Sequence, residues 1–291
     1  MAVTAPAESR RATRPAAQER RPRRSPRTSL SPMATLSSIW RPSALLLALL
    51  VAWWAVTEAD LVAPYILPSP ADTWQTAVDN AAYLAQNTWV TTWETVVGFA
   101  IATVVGVFVA VVMVYSSNIE KTVYPLILFA QVIPKIAIAP LFIVWLGFGT
   151  SPKILVAVLM AFFPIVISGL AGLRSVDPEI LELTSTMGAS KLKTFAKIRL
   201  PASLPQLMSG LKVAATLAVT GAVVGEFVGS NEGLGYVILQ ANGNVDTAML
   251  FAALVIMSVL GIALFAIIEI AEKLLIPWHS SRRVNSSTTQ A

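Results

Sequence analysis

The chain contains no cysteine and a single histidine, His279. Without thiols, a disulfide framework and thiolate metal centres are excluded. One imidazole near the C-terminus supports neither a histidine-based triad nor a zinc site. Charge is scarce as well. Only 13% of the 291 residues are charged while 55% are apolar, whereas soluble domains carry about 25% charged residues. That deficit points to a membrane protein. No glycine-rich stretch ends in Gly-Lys-Ser/Thr, so there is no Walker A loop to bind nucleotide phosphates. No acid/base or nucleophile pair is legible either. The expectation is a chain with no catalytic residue, no metal site, no cofactor and no enzymatic activity of its own.

The charge that is present is unevenly placed. Residues 1–42 hold nine arginines and two glutamates, and the rest of the chain is slightly acidic. The tail is rich in Arg, Pro, Ala, Ser and Thr and cannot bury a core. Its charged region is too long for a cleavable signal peptide. Its prolines (Pro6, Pro15, Pro22, Pro26 and Pro32) oppose the amphipathic helix of a transit peptide. A disordered cytosolic tail beside anionic lipid is the expected role. The high isoelectric point thus describes a tail and gives no reason to expect nucleic acid as a partner. A second short disordered tail is expected at 279–291.

Crossing the hydrocarbon core takes about 20 mostly apolar residues. Six stretches within 43–278 fit: 43–57, 92–115, 123–146 (interrupted by Pro134 and Pro140), 153–173, 206–226 and 249–275. The fold class expected is an all-α membrane protein with six transmembrane helices. Gly and Ala in the second and fifth spans suit close helix packing.

The loops give an orientation. Residues 58–91 carry Glu58, Asp60, Asp72 and Asp79 without a base, and 227–248 carry Glu232 and Asp246 without a base. The stretch 174–205 carries Arg174, Lys191, Lys193, Lys197 and Arg199, and Lys273, Arg282 and Arg283 lie near the C-terminus. Basic loops stay in the cytoplasm. Both termini and 174–205 are therefore expected inside, in a multi-pass bacterial plasma-membrane protein. Lys153 in a short outer loop and the Glu120–Lys121 pair are minor exceptions. Pro70-Ala71-Asp72 can start a short surface helix, and Tyr65, Trp74, Tyr83 and Trp89 are expected as interfacial anchors.

The longest inner loop is the informative one. Asp177-Pro178-Glu179 is a helix start, with Asp as N-cap, Pro in the first turn and Glu favoured by the dipole. Gly188 stops that helix. Ser190 caps a second one running through Leu192, Phe195 and Ile198, which Leu200-Pro201 ends. The expectation is helix–Gly–helix, with Leu192, Phe195 and Ile198 as an apolar stripe rimmed by basic residues. Such a surface marks a protein contact, docked as a helix in a groove.

Glu182-Leu183-Thr184, three residues, Gly188, nine residues and Ile198-Arg199-Leu200-Pro201 resemble the EAA motif of binding-protein-dependent ABC transporter permeases of type 1. Leu183 and Thr184 stand where the motif has alanines. The runs LPSPADTWQ (67–75), IPKIAIAPLFIVWLGFG (133–149), FFPIVISGLAGLRSVDP (162–178) and GEFVGSNEGLGYVI (225–238) extend the resemblance over about 65–278, with a permease core of about 89–273. They are closest to the nitrate/taurine/sulfonate-type branch, which includes pyrimidine-precursor and riboflavin permeases. The resemblance implies an importer subunit working as a homodimer. Its implied partners are a cytosolic ABC ATPase dimer that hydrolyses ATP, an external solute-binding protein and membrane lipid. It assigns ATPase coupling to Glu182, Gly188, Leu192, Phe195, Ile198, Leu200 and Pro201. The Pro-Lys-Ile-Ala-Ile-Ala-Pro run leans toward a vitamin-like heterocycle, with sulfonate/taurine or nitrate as the alternative cargo. A secondary transporter or channel is the rival class; it would show inverted repeats with charged broken helices, and it leaves 182–201 unexplained.

Lys135, beside Pro134, falls inside the third span, where a charge is costly and faces a cavity or a partner. Two readings stand: it lines the pathway or a gate, or it fixes a kinked helix. In the second case its partner is Glu94, Glu226 or backbone freed by Pro134 or Pro140. Glu226 ends the fifth span, either as a solvated helix end or facing an outer receptor with Gly233–Tyr236.

Overall fold

The computed structural model of the chain describes residues 32–277, and the tail 1–31 and the stretch 278–291, with His279, Arg282 and Arg283, lie outside them. The chain divides into two units at Leu49. Of the first, the N-terminal part of helix α1 (Pro32–Glu58) is described, and its residues from Trp40 to Leu49 are exposed. Helix therefore reaches into 32–42, which composition had assigned to the tail.

The described residues of the second unit, from Leu50 on, form helices joined by links. After the end of α1 come α2 (Pro70–Asp79), α3 (Ala81–Tyr115), α4 (Ser117–Val132), α5 (Lys135–Leu146) and α6 (Thr150–Arg174). Then follow α7 (Pro178–Thr186), α8 (Lys191–Thr194), a π turn at Phe195–Arg199, α9 (Leu200–Gly229), α10 (Leu234–Gly243) and α11 (Thr247–Leu275). Among the described residues there is no strand.

Local chemistry accounts for several of these boundaries. Ser69 caps α2 by accepting from the Asp72 amide, with Pro70 at the first helical position. Ser116 does the same for α4 from the Ile119 amide. Helix α3 runs for 35 residues; at about 1.5 Å per residue it outreaches a hydrocarbon core of about 30 Å. Its first turns, missing from the expected span 92–115, carry the polar residues Tyr83, Asn87, Thr88 and Thr91.

Among the described residues, five helical stretches are long and apolar enough to cross a membrane. The third expected span, 123–146, is a bent pair: α4 and α5 meet at 97°. The break falls at Ile133-Pro134, whereas Pro140 sits inside α5. Proline removes a donor and excludes the helical conformation from the residue before it, and Ile133 is extended accordingly.

Helix α6 packs most extensively on α9 and α3. The contact is lined by small residues: Ala102, Ala161, Ala214 and Ala218 are fully buried. On α9, side chains at Gly221 and Gly225 would strike the α6 backbone at Ala157 and Lys153, with a Cβ at 2.7 Å from either Cα. Close approach of this kind is how helices associate where water does not drive them together.

Candidate functional site

One end of the second unit is built around α7, α8 and the start of α9. Asp177 takes the N-cap position of α7, with Pro178 in the first turn, although its side chain makes no capping bond. At the other end of α7 the Gly188 amide donates to Ser185 O and the Ala189 amide to Thr184 O, both at 3.0 Å. This double bond pattern needs a left-handed residue, and Gly188 supplies it with φ of +70°. Ser190 then caps α8, accepting from the Lys193 amide at 3.3 Å. The helix–Gly–helix geometry is present.

Two expectations about this segment need correction. Leu200-Pro201 does not end the second helix. The π turn at Phe195–Arg199 leads directly into α9, so one helical path runs from Lys191 to Gly229. The wider turn lets the Leu200 amide reach Phe195 O, and Pro201, which has no amide to offer, falls in the first turn of α9, where none is needed. The exposed apolar surface is also not the 192–195–198 stripe. Phe195 stacks beside Tyr115 with ring centroids 6.1 Å apart and packs on the core around Met113 and Leu173, and Ile198 and Pro201 are half-buried. Of that stripe Leu192 (77%) is exposed, and Leu183 (60%) and Met187 (76%) are exposed beside it, next to exposed Glu182 and Gly188. Leu183 lies on α7 and Met187 is its C-cap, apolar residues to which the sequence reading gave no surface role.

Around this face Lys121, Arg174, Lys191, Lys193 and Lys197 are exposed. Arg174 forms an ion pair with Glu120. Arg199 donates to Leu173 O at 3.3 Å and lies over the Tyr115 ring, which ties the start of α9 to the ends of α6 and α3.

Lys135 opens α5 at the break. Its ammonium donates to Gln131 O at 3.0 Å, a carbonyl left without its helical amide where α4 stops, and lies 4.8 Å from the centre of the Phe163 ring. A cation at a helix C-terminus meets the negative end of the dipole. Of the expected partners, the freed backbone is the one observed; Glu94 and Glu226 are engaged elsewhere.

Those two carboxylates belong to a cluster that sequence reasoning missed. Lys153 is not in an outer loop; it lies in α6 and is 3% exposed. It forms an ion pair with Glu94 of α3, donates to Ser230 at 3.1 Å and lies 3.9 Å from Glu232. Glu226 is not a solvated helix end, being 1% exposed. It accepts from Thr91 at 2.6 Å and from the Gly235 amide. Asn87 accepts from the Gly233 amide at 2.7 Å and Thr91 from the Leu234 amide at 2.8 Å. The amides of Gly233, Leu234 and Gly235, at the end of α10 where a helix leaves its amides orphaned, are thus met by side chains of α3 and α9. Gly233 has φ of +101°, and a Cβ there would fall 2.3 Å from the Glu226 carboxyl. The available signal was the spacing of Asn87, Thr91 and Glu94 at i, i+4 and i+7, one face of a helix.

The end of the molecule that holds α10 is acidic. Asp60, Asp72, Asp79, Glu232 and Asp246 are exposed there, and among the described residues of 58–91 and 227–248 there is no base. Tyr65, Trp74 and Trp89 are exposed at the same end. Among the described residues no group of three His, Asp or Glu side chains is placed to hold a metal ion.

Residues 102–278 match the family model described as "Binding-protein-dependent transport system inner membrane component". The chain is 37% identical to the formylaminopyrimidine transport permease protein ThiX of Halalkalibacterium halodurans, over 83% of this chain and 96% of that protein. It is 34% identical to the riboflavin transport system permease protein RibX of Chloroflexus aurantiacus, over 81% of this chain and 89% of the relative. Among solved structures, an inward-facing form of the MetNI methionine ABC transporter matches with a TM-score of 0.60 and 21% identity, over 68% of this chain and 98% of the matched chain. That likeness extends to the fold.

Proposed function

This chain belongs to the family of binding-protein-dependent transport system inner membrane components, and we propose that it forms the pathway of an ABC importer for a small heterocycle of the formylaminopyrimidine type. The family relationship makes it a transport permease and not an enzyme. The relatives support this cargo: ThiX and RibX, named for a pyrimidine and for riboflavin, each match along most of their length.

The observation that carries the powering mechanism is the apolar face of Leu183, Met187 and Leu192 around Gly188. Exposed apolar residues within a basic rim fit a groove on a separate protein, here the cytosolic ATPase pair. Motion of that partner reaches the bundle through α8 and the π turn, which continue into α9, the most buried long helix. The basic end is cytoplasmic on the positive-inside rule. The acidic end is then external and faces the solute-binding protein, and both termini are inside. Two copies of the chain enclose the pathway, since each supplies one coupling segment. Lys135, Pro134 and the α4–α5 bend lie on an exposed side available to the second copy, with Val132 and Val144 about four-fifths exposed.

Affinity purification of the tagged permease with its ATPase tests this reading. Leu192→Asp and Leu183→Asp are expected to reduce co-purified ATPase at least about tenfold, as loss of a central apolar anchor does, with the yield of permease unchanged. Undiminished ATPase in the double variant would contradict it.

A further inference from the structure

The cluster around Lys153 and Glu226 lies far along the bundle from the ATPase-facing segment and is not needed to hold α6 on α9, which small apolar residues accomplish. Its position between two apolar bodies gives it a different meaning. One body is the α6–α9 core with the middle of α3, packed through Ala102, Ala161 and Ile165. The other joins α10 to the first turn of α3 and the start of α11, through Leu84, Leu234, Val237, Ala252 and Ala253. Where α10 leaves α9, the seam between the bodies is polar and buried.

Three features make this seam suited to opening. Its bonds are directional and few, so separation exchanges polar partners. Thr95 Oγ1, fully buried, has no hydrogen-bond partner among the described residues; an unmet polar group at that depth is unfavourable. Lys153 also has two carboxylates within reach, buried Glu94 and Glu232, which is 56% exposed on the short link from α9 to α10. That link contains Gly233, in a conformation open to glycine.

We propose that α10 is a hinged flap over the external mouth, and that Glu94, Lys153 and Glu226 latch it, with Lys153 passing from Glu94 to Glu232 when the flap opens. The inference rests on the importer reading, which makes the acidic end the side of solute entry. Glu226 and Lys153 are positioning residues: they hold α10 through its first amides and its link. The Lys153 exchange is a two-position element of the kind that amplifies a distant change. Every charged group facing the ammonium takes part: Glu94 from α3, Glu226 from α9 and Glu232 from the link.

The chain lacks cysteine, so a single Thr95→Cys reports on the seam. In the permease–ATPase complex in lipid nanodiscs, a polar maleimide is expected to label it slowly without ATP and faster with ATP. Glu94→Gln, which weakens the closed latch, is expected to raise labelling without ATP at least about tenfold. Glu232→Gln removes the alternative partner; it is expected to lower uptake about threefold at unchanged protein yield, with recovery in Glu232→Asp. ATP-driven uptake combined with equal protection of Thr95→Cys in both latch states overturns the proposal, as does full uptake by Glu232→Gln. If the importer reading fails instead, uptake and labelling of the parent reporter ignore ATP while Glu94→Gln still raises labelling.

Discussion

Removing the Lys153 ammonium leaves Glu94 and Glu226 buried without a cation between them. Breaking a buried pair from one side costs about 3–5 kcal/mol. Lys153→Met is therefore expected to lower the thermal unfolding midpoint in detergent sharply, and adding Glu94→Gln to recover part of the loss; an unchanged midpoint for the single variant would contradict the burial. Gly233→Ala tests the neighbouring link: a Cβ would meet the Glu226 carboxyl and the backbone has positive φ. That backbone conformation alone costs a non-glycine residue about 1–3 kcal/mol, so unfolding by heat should begin earlier, with faster amide exchange over α10. At this scale the sequence was only partly legible. Glu226 was found but given solvent, because a carboxylate at a helix end is usually wet. Lys153 was read as a loop base because its partners lie far away in the chain, at Glu94 and Ser230. Nothing local announces such a pair.

At the scale of elements, caps and stops were the most legible features. Ser190 caps α8 with its side chain and Gly188 ends α7 in the left-handed conformation, as expected, whereas Asp177 takes its N-cap position without a side-chain bond and Leu200-Pro201 stops nothing. These signals act within a turn or two, so the sequence contains them whole. The π turn at Phe195–Arg199 was not legible, and with it went the direction of Phe195. Wider turns rotate the following face, so the apolar stripe expected at helical spacing points partly inward. Phe195 is consequently a packing residue beside Tyr115 and the core. Phe195→Ala is expected to destabilise the fold by about 1–3 kcal/mol, below the range for a fully buried ring, whereas Leu192→Asp leaves stability intact and weakens ATPase capture. Melting curves and capture on the same pair of variants separate the two roles. Equal melting points would show that Phe195 is not packed.

For the whole molecule, charge partition and the small residues of close packing in the second and fifth spans were legible, and the pairing of the helices was not. The acidic and basic ends follow from loop composition alone, since burial leaves those loops in water. The internal order of the bundle depends on small residues at α3, α6 and α9 whose contacts are distant in sequence. The two-ended charge makes a topology prediction. In intact cells an impermeant maleimide should label Trp74→Cys on α2 and spare Leu192→Cys on α8, both exposed side chains. The reverse pattern would invert the orientation and separate the apolar face from any cytosolic partner.

The central claim is that an ATPase drives this permease through the face around Gly188. Its most direct test is uptake of a labelled formylaminopyrimidine into vesicles containing the permease and its ATPase, with the solute-binding protein supplied outside. The account predicts uptake that requires ATP and is abolished by the combined Leu183→Asp and Leu192→Asp substitutions while the permease remains folded. Uptake that persists without ATP, or that survives both substitutions, would contradict it.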